Sequence, residues 1–180
     1  DRAEDIVPCL RCLQCYHIST DRWNVGCSVN PRFANEDFVP RTVEPAEVSK
    51  RVLVVGAGPA GCMAAITACA RGHKVVLAER ADRVGGNVRL IAQESHKEDI
   101  ARYLRYLEHK IAGLERAGEL DVRFGCDVDR VFVEEMAPDA LIVAVGAEPF
   151  VPSVPGVDAP VVMGFAQAIE HVEDLGSRVV

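Results

Sequence analysis

The chain lacks any excess of positive charge. Its 180 residues carry 20 Lys+Arg against 27 Asp+Glu, a formal net charge of −7, and the sequence pI is about 5.2. That balance argues against nucleic acid or an anionic membrane surface as the main partner. Repeats and low-complexity tracts are also lacking, and 49% hydrophobic with 26% charged residues excludes a wholly disordered chain. A charge-free run lies between Arg51 and Arg71, but Gly56, Gly58, Pro59 and Gly61 interrupt it. It therefore reads as strand, turn and helix, not as a membrane span.

An even disulfide framework is lacking too. The 7 cysteines fall at positions 9, 12, 15, 27, 62, 69 and 126. The opening Asp1-Arg2-Ala3-Glu4-Asp5 is charged where a secretory signal would be apolar. Together these predict free or metal-bound thiols in a reducing, cytoplasmic compartment. The 5 histidines (17, 73, 96, 109, 171) form no H-x-x-x-H pair and have no Ser or Cys partner at a motif spacing. No general acid, base or nucleophile is therefore named. His17 reads as a solvated loop residue, with a hydrogen bond near the cysteines as the alternative, and His96 as a residue fronting a helix.

Composition divides the chain. Residues 1–35 hold four cysteines and no long apolar period, and predict an irregular segment that something other than a hydrophobic core must hold. Residues 36–50 read as a linker, and residues 51–150 as one α/β unit. Residues 149–160 crowd in four prolines as an extended stretch, and residues 151–180 read as a connection leading onward, with Leu175–Val180 the start of a further strand.

Within the α/β unit, Arg51–Val55 is a β-branched run suited to a strand buried on both faces. Pro59–Arg71 reads as a helix with Pro59 in its first turn and Gly72 near its C-cap. Lys74–Glu79 is the second strand. From His96 to Gly118, Ile100, Leu104, Leu107, Ile111 and Leu114 recur at spacings of four and three, one helix face. Glu98 and Arg102 suit an i, i+4 pair on its exposed side. Tyr103 and Tyr106 read as core, Asp121–Phe124 and Ala140–Val145 as two further strands, and Glu134-Glu135 as a solvated turn. Alternating strands and helices predict a Rossmann-like parallel sheet.

Two motifs carry chemistry. Gly56-Ala57-Gly58-Pro59-Ala60-Gly61 fits G-x-G-x-x-G between a predicted strand and a predicted helix. Gly56 permits the tight turn, Gly58 clears the approach of a pyrophosphate, and Gly61 lets helix and strand pack closely. Helix N-terminal N–H groups, from Ala60 onward past Pro59, then face the phosphates. Glu79, at the end of the second strand, can accept both ribose hydroxyl protons of an adenosine, and its charge disfavours a 2′-phosphate. FAD or NAD is thus expected before NADP, with a ligand-free tight turn as the plain alternative. The second motif is Cys9-x2-Cys12-x2-Cys15-x11-Cys27. Three thiolates in seven residues and a fourth beyond a short loop suit a [4Fe–4S] cluster. Zinc, which favours two separated pairs, and unliganded thiols are the alternatives. Cys62, Cys69 and Cys126 read as core.

Glu79-Arg80, Gly85-Gly86-Asn87 and Ala144-Val145-Gly146 resemble the elements that frame FAD in the two-dinucleotide-binding-domain flavoproteins. The resemblance implies cofactor contacts at Arg80, Gly86, Asn87, Ala144 and Gly146, and a backbone contact to adenine at Val128. Val145 stands where Thr is usual and Asn87 where Gln is common. The string from Pro8 to Cys15, with Cys27-Ser28-Val29-Asn30-Pro31, is similar to the cluster segment of the old-yellow-enzyme-like iron–sulfur flavoenzymes, the 2,4-dienoyl-CoA reductase, enoate reductase and trimethylamine dehydrogenase group. Its C-x2-C-x2-C spacing is that of the dehydrogenase type.

The resemblance covers nearly the whole chain. It implies a middle piece of a longer polypeptide, flanked by an FMN-binding (β/α)8 barrel and an NAD(P)-binding domain, with NAD(P)H and FMN held in those partners. It admits a homo-oligomeric full-length protein. It implies an FAD and cluster relay for reduction of α,β-unsaturated substrates. Open beside it stand an amine dehydrogenase with ADP in the nucleotide site, an electron-transfer subunit of the glutamate-synthase small-subunit type, and a bare adenine-nucleotide binder.

Overall fold

The β-branched run at Arg51–Val55 (β1) forms the centre of a four-stranded sheet. Lys74–Ala78 (β2), Leu120–Arg123 (β3) and Ala140–Val143 (β4) complete it in the order β3-β2-β1-β4, every pairing parallel. The computed structural model describes residues 3–16, 25–177 and 179. The expectation for His17 lies outside them.

Register follows the apolar pattern: Leu53 sits between Val76 of β2 and Leu141 of β4, and Val54 between Leu77 and Ile142. Leu53, Val54 and Leu77 are fully buried, each such side chain contributing about 1.5–3 kcal/mol relative to exposure. Pro59–Ala70 (α1) crosses from β1 to β2, with Pro59 at its start, where a missing N–H costs nothing, and Gly72 just past its end at φ +80°. The helix is apolar nearly all round. Ala65 and Ala68 meet the core, and Cys62 and Cys69 fill it as small hydrophobes.

Glu98–Arg116 (α3) is strongly amphipathic. It buries Leu104, Leu107 and Ile111 as the spacing predicts, and adds Tyr103 and Tyr106, stacked with ring centroids 6.0 Å apart. Lys97, not His96, is its N-cap residue, and Arg102 pairs with Asp99 one turn back, not with Glu98. Asp99 is the buried carboxylate and Glu98 the solvated one, so burial decides which acid the guanidinium meets.

Three short helices are additions to the sequence reading: Asn87–Ile91 (α2), Arg130–Met136 (α4) and Phe165–Glu170 (α5). Glu134 and Glu135 lie in α4, not in a turn. Asp129 caps that helix by accepting from the Phe132 N–H at 2.8 Å, and Ala137 closes it at φ +42°.

Unlike β1, the equally apolar β4 is an edge strand among the described residues. It leaves Leu141, Ile142 and Val143 exposed, because no strand pairs beyond it. From Leu175 onward the described residues form no strand, and Val172–Asp174 is a 3-10 turn. Among the described residues, no helix is long and apolar enough to cross a membrane.

Residues 25–50 carry no helix or strand. Their last stretch is pinned to the end of α1, with the Ala46 N–H donating to the Arg71 carbonyl at 2.9 Å and the Ser49 hydroxyl to the Gly72 carbonyl at 2.7 Å.

Candidate dinucleotide site and cysteine segment

The glycine turn leaves β1 at the carboxyl end of the sheet, where ligands of such folds collect. Gly56 has φ +97°, and a Cβ there would stand 2.5 Å from the Ala144 carbonyl oxygen. A Cβ on Gly61 would meet the Gly56 carbonyl oxygen at 1.8 Å, so α1 packs on the turn at a distance only glycine permits. Gly58 is the opposite case. Nothing lies within 4 Å of its absent side chain, leaving open space above the helix N-terminus. The N–H groups of Ala60 and Gly61 have no carbonyl one turn back in the helix and Pro59 has none to offer, which makes the opening receptive to anionic oxygen.

Glu79 closes the turn from the side. Its Oε2 accepts from the Ala57 N–H at 2.6 Å and its Oε1 from the Ala81 N–H at 2.9 Å. Its own backbone bridges to the next strand, the N–H donating to the Arg123 carbonyl and the carbonyl accepting from the Cys126 N–H, both at 2.9 Å. The Ala57 carbonyl accepts in turn from the Gly85 N–H at 2.8 Å and from the Cys62 thiol at 3.2 Å. Turn, acid and Gly85-Gly86 element thus form one hydrogen-bonded unit. A Cβ on Gly86 would stand 3.2 Å from the Gly58 Cα. Burial, with the Glu79 charge as a lesser cause, pushes the Cys62 thiol up to about 12, so it stays neutral beneath the turn.

A pocket of about 240 Å³ opens beside this unit, lined among others by Gly56, Glu79, Arg80, Val128 and Gly146. Ala144 contacts the turn from below through Gly56. Gly86 and Asn87 are exposed at the start of α2. Cys126, expected in the core, is half-buried and lines this pocket instead. Asp127 and Glu148 join the lining. Sequence reasoning passed over both, since a lone acid in a loop carries no spacing signal. Two larger pockets lie elsewhere, one near the amino ends of the strands and one between α1 and the Val29 loop, and neither touches the glycine turn.

The cysteine segment lies along α3. Cys9, Cys12 and Cys15 are exposed and Cys27 is half-buried. Among the described residues, no three of the four sulfurs lie within 4.8 Å of one another. Hydrogen-bonding groups nevertheless reach two of these sulfurs. The Arg11 N–H donates to the Cys9 sulfur at 3.4 Å, and the Ser28 hydroxyl lies 3.3 Å from the Cys12 sulfur. Hydrogen bonds from Ser28 and from the Gln14 backbone hold the Cys12 thiol below its ordinary range. Four soft sulfur donors in a short segment fit an iron–sulfur cluster or a zinc ion chemically. Cys62 and Cys69, pushed up to about 12 and about 11 by burial, do not.

Residues 50–179 match the pyridine nucleotide-disulphide oxidoreductase family. The chain belongs to that family. Among its relatives is a Thermoanaerobacter brockii NADH oxidase, 39% identical over 132 residues, covering 73% of this chain and 20% of the relative. A bilirubin reductase of Mediterraneibacter gnavus is 32% identical over 173 residues, covering 94% of this chain and 26% of the relative. In solved structures, the fold recurs in a 2-naphthoyl-CoA reductase at TM-score 0.85 and 35% identity, covering 96% of this chain and 26% of that one. It recurs in a Rhizobium sp. 4-9 histamine dehydrogenase at TM-score 0.76 and 27% identity, covering 85% of this chain and 22% of that one. These neighbours fit the old-yellow-enzyme-like reductase and amine dehydrogenase group that the motifs resemble. The chain spans about a fifth to a quarter of their length.

Proposed function

We propose that this chain is the FAD-binding and [4Fe–4S] electron-relay segment of an NAD(P)H-dependent flavin oxidoreductase that reduces α,β-unsaturated substrates. The observation that carries the reading is the single unit formed by Glu79, the glycine turn and the Gly85-Gly86 element at the carboxyl edge of a parallel sheet. Relatives named as reductases, of cinnamate and of naphthoyl-CoA among others, support the substrate class.

In this reading Gly58, Ala60 and Gly61 present backbone to the pyrophosphate, and Glu79 accepts from the ribose hydroxyls with lone pairs that Ala57 and Ala81 leave free. The three acids at the adenosine end (Glu79, Asp127 and Glu148) repel a 2′-phosphate. Gly86 and Asn87 border the path toward the ring, and Val128 and Gly146 line the pocket from the opposite loops. Cys9, Cys12, Cys15 and Cys27 hold the cluster. When bound, a flavin exchanges electrons in pairs or singly, which suits it to join a hydride donor to a one-electron cluster. FMN, NAD(P)H and the substrate belong to partner domains, a barrel and a second nucleotide-binding domain.

The test is anaerobic preparation followed by iron, sulfide and flavin analysis. We expect close to four iron and four sulfide per chain, lost on Cys12→Ser, with FAD bound more tightly than ADP in calorimetry. Stoichiometric zinc in tetrahedral sulfur coordination would sink the cluster, and no binding of FAD, ADP or NAD to folded protein would sink the site. The amine dehydrogenase reading is favoured by the cysteine spacing and by the histamine dehydrogenase neighbour. It requires equal affinities for FAD and ADP.

A further inference from the structure

We propose that Asp99 is a positioning residue for the cysteine segment, holding Arg11, and with it Cys9 and Cys12, against the first turn of α3 before any metal arrives. The inference rests on reading these cysteines as ligands, but its geometry stands apart from the metal.

Arg11 lies between two of the four cysteines and donates through Nε to Asp99 Oδ2, 88 positions away. The guanidinium side is largely exposed at 71%, whereas the carboxylate side is 12% exposed. Arg102 takes the other oxygen of Asp99. The Arg11 hydrogen bond, with help from Arg102, holds the Asp99 carboxyl below the usual carboxylate range. Arg102 alone would have supplied a local partner, so the contact with Arg11 does something local pairing does not. It ties the segment to the sheet domain.

Two further observations agree. Arg11 and Leu13, flanking Cys12, both have positive φ (+50° and +59°) without being glycine. Non-glycine residues keep such backbone only where surroundings over-determine it. A second tie lies farther along the same helix, where Lys110 Nζ meets Asp5 at 2.7 Å and His109 approaches the same carboxylate at 3.4 Å. Between the ties, Leu10 packs on the core.

The same helix also steadies the other site. Leu104 Cδ1 lies 2.6 Å from where a Gly85 Cβ would stand. Glu108 engages Arg89, which donates to the Val84 carbonyl at 3.1 Å. One helix thus fixes the cysteine segment and the second glycine pair with different residues, which sets the separation between the two candidate centres.

The experiment uses the metal-free full chain. Trypsin must take the Arg11 guanidinium that Asp99 holds, so cleavage of the Arg11–Cys12 bond, followed by mass spectrometry, reads the docked fraction. Asp99→Asn should accelerate it about 10-fold, while Asp99→Glu, which keeps the charge, should recover most of the protection. Equal rates in native chain and Asp99→Asn would overturn the proposal. Because Asp99 is buried, a second variant avoids the helix. Arg11→Gln should accelerate chymotrypsin cleavage after the exposed Leu13 by a similar factor, and an unchanged rate would also overturn it. Iron uptake by the native chain is scored separately. A chain that takes up no iron but shows the protease contrast defeats the cluster reading and keeps the latch. A chain that loads four iron but shows no contrast does the reverse.

Discussion

The sheet domain and the cysteine segment are held by different forces. Residues 51–147 bury Leu53, Val54, Leu77 and Leu107 completely, and their helices and strands satisfy one another's backbone. The cysteine segment contributes Leu10 and Val29 to the core and otherwise holds on through ion pairs to Asp99 and Lys110. A domain built on apolar burial keeps its shape without a ligand. A segment held by two partly buried charge pairs and two apolar contacts depends on a few points, each of which a single substitution can release. The contrast sets the sheet domain around the candidate nucleotide site apart from the segment that carries the four cysteines.

Thiol chemistry gives the widest separation between the two halves. Alkylation needs the thiolate. Cys12 lies below its ordinary value, while Cys62 and Cys69 are raised to about 12 and about 11. At pH 8 Cys12 should react about a thousand-fold faster than Cys62. The Cys62 rate should then climb about tenfold per pH unit until near 12, because burial favours the neutral form. Timed iodoacetamide labelling read by mass spectrometry checks this, and comparable rates at the two sites would erase the distinction.

Within the sheet domain, two glycines of one motif should fail in opposite ways. Gly61→Val drives a side chain into the Gly56 carbonyl and should cost well over the ~1–3 kcal/mol of ordinary overpacking, enough to prevent cooperative thermal unfolding. Gly58→Val meets no protein atom, so its melting temperature should hold while dinucleotide affinity falls. Matching losses of stability would place Gly58 among structural residues.

Glu79→Ala should act on both properties. Losing the acceptor weakens adenine-dinucleotide binding by roughly 1.5–3 kcal/mol, on the order of 10- to 150-fold in calorimetry. It also strands the Ala57 and Ala81 N–H groups, so the turn should exchange its amide hydrogens faster even without ligand. Unchanged exchange would confine Glu79 to the ligand. The smallest effect is expected at Asp129→Ala, which removes an exposed cap from α4 and should cost about 1 kcal/mol by denaturant titration. Dinucleotide affinity should stay untouched.

Legibility followed the same division. The β1–α1–β2 passage and α3 could be read because apolar period and glycine punctuation are local. The bounds of α1 and β2 each differ by one residue from the expectation. The short helices α2, α4 and α5 span five to seven residues, too few for a period to emerge. The Asp129 cap went unread for the same reason, since no periodic run follows it to mark a helix start. The ties at Asp99 and Asp5 join residues 88 and 105 positions apart, and no local pattern announces them. The three sheet-domain cysteines looked alike in sequence, yet Cys126 differs because it follows β3 to the carboxyl edge of the sheet and lines the pocket there.

The open edge of β4 has a colloidal consequence. Its backbone faces outward beside Val143 and Val145, 65% and 66% exposed, and Ala140–Val145 holds no Lys, Glu or Pro to discourage an incoming strand. Natural sheets blunt such rims with charge or kinks; here the flanking prolines, Pro138 and Pro149, both lie outside the strand. Stored alone at high concentration, the chain should therefore thicken into strand-paired aggregates. A lysine at position 143 would act as gatekeeper, lengthening its shelf life without touching the nucleotide pocket.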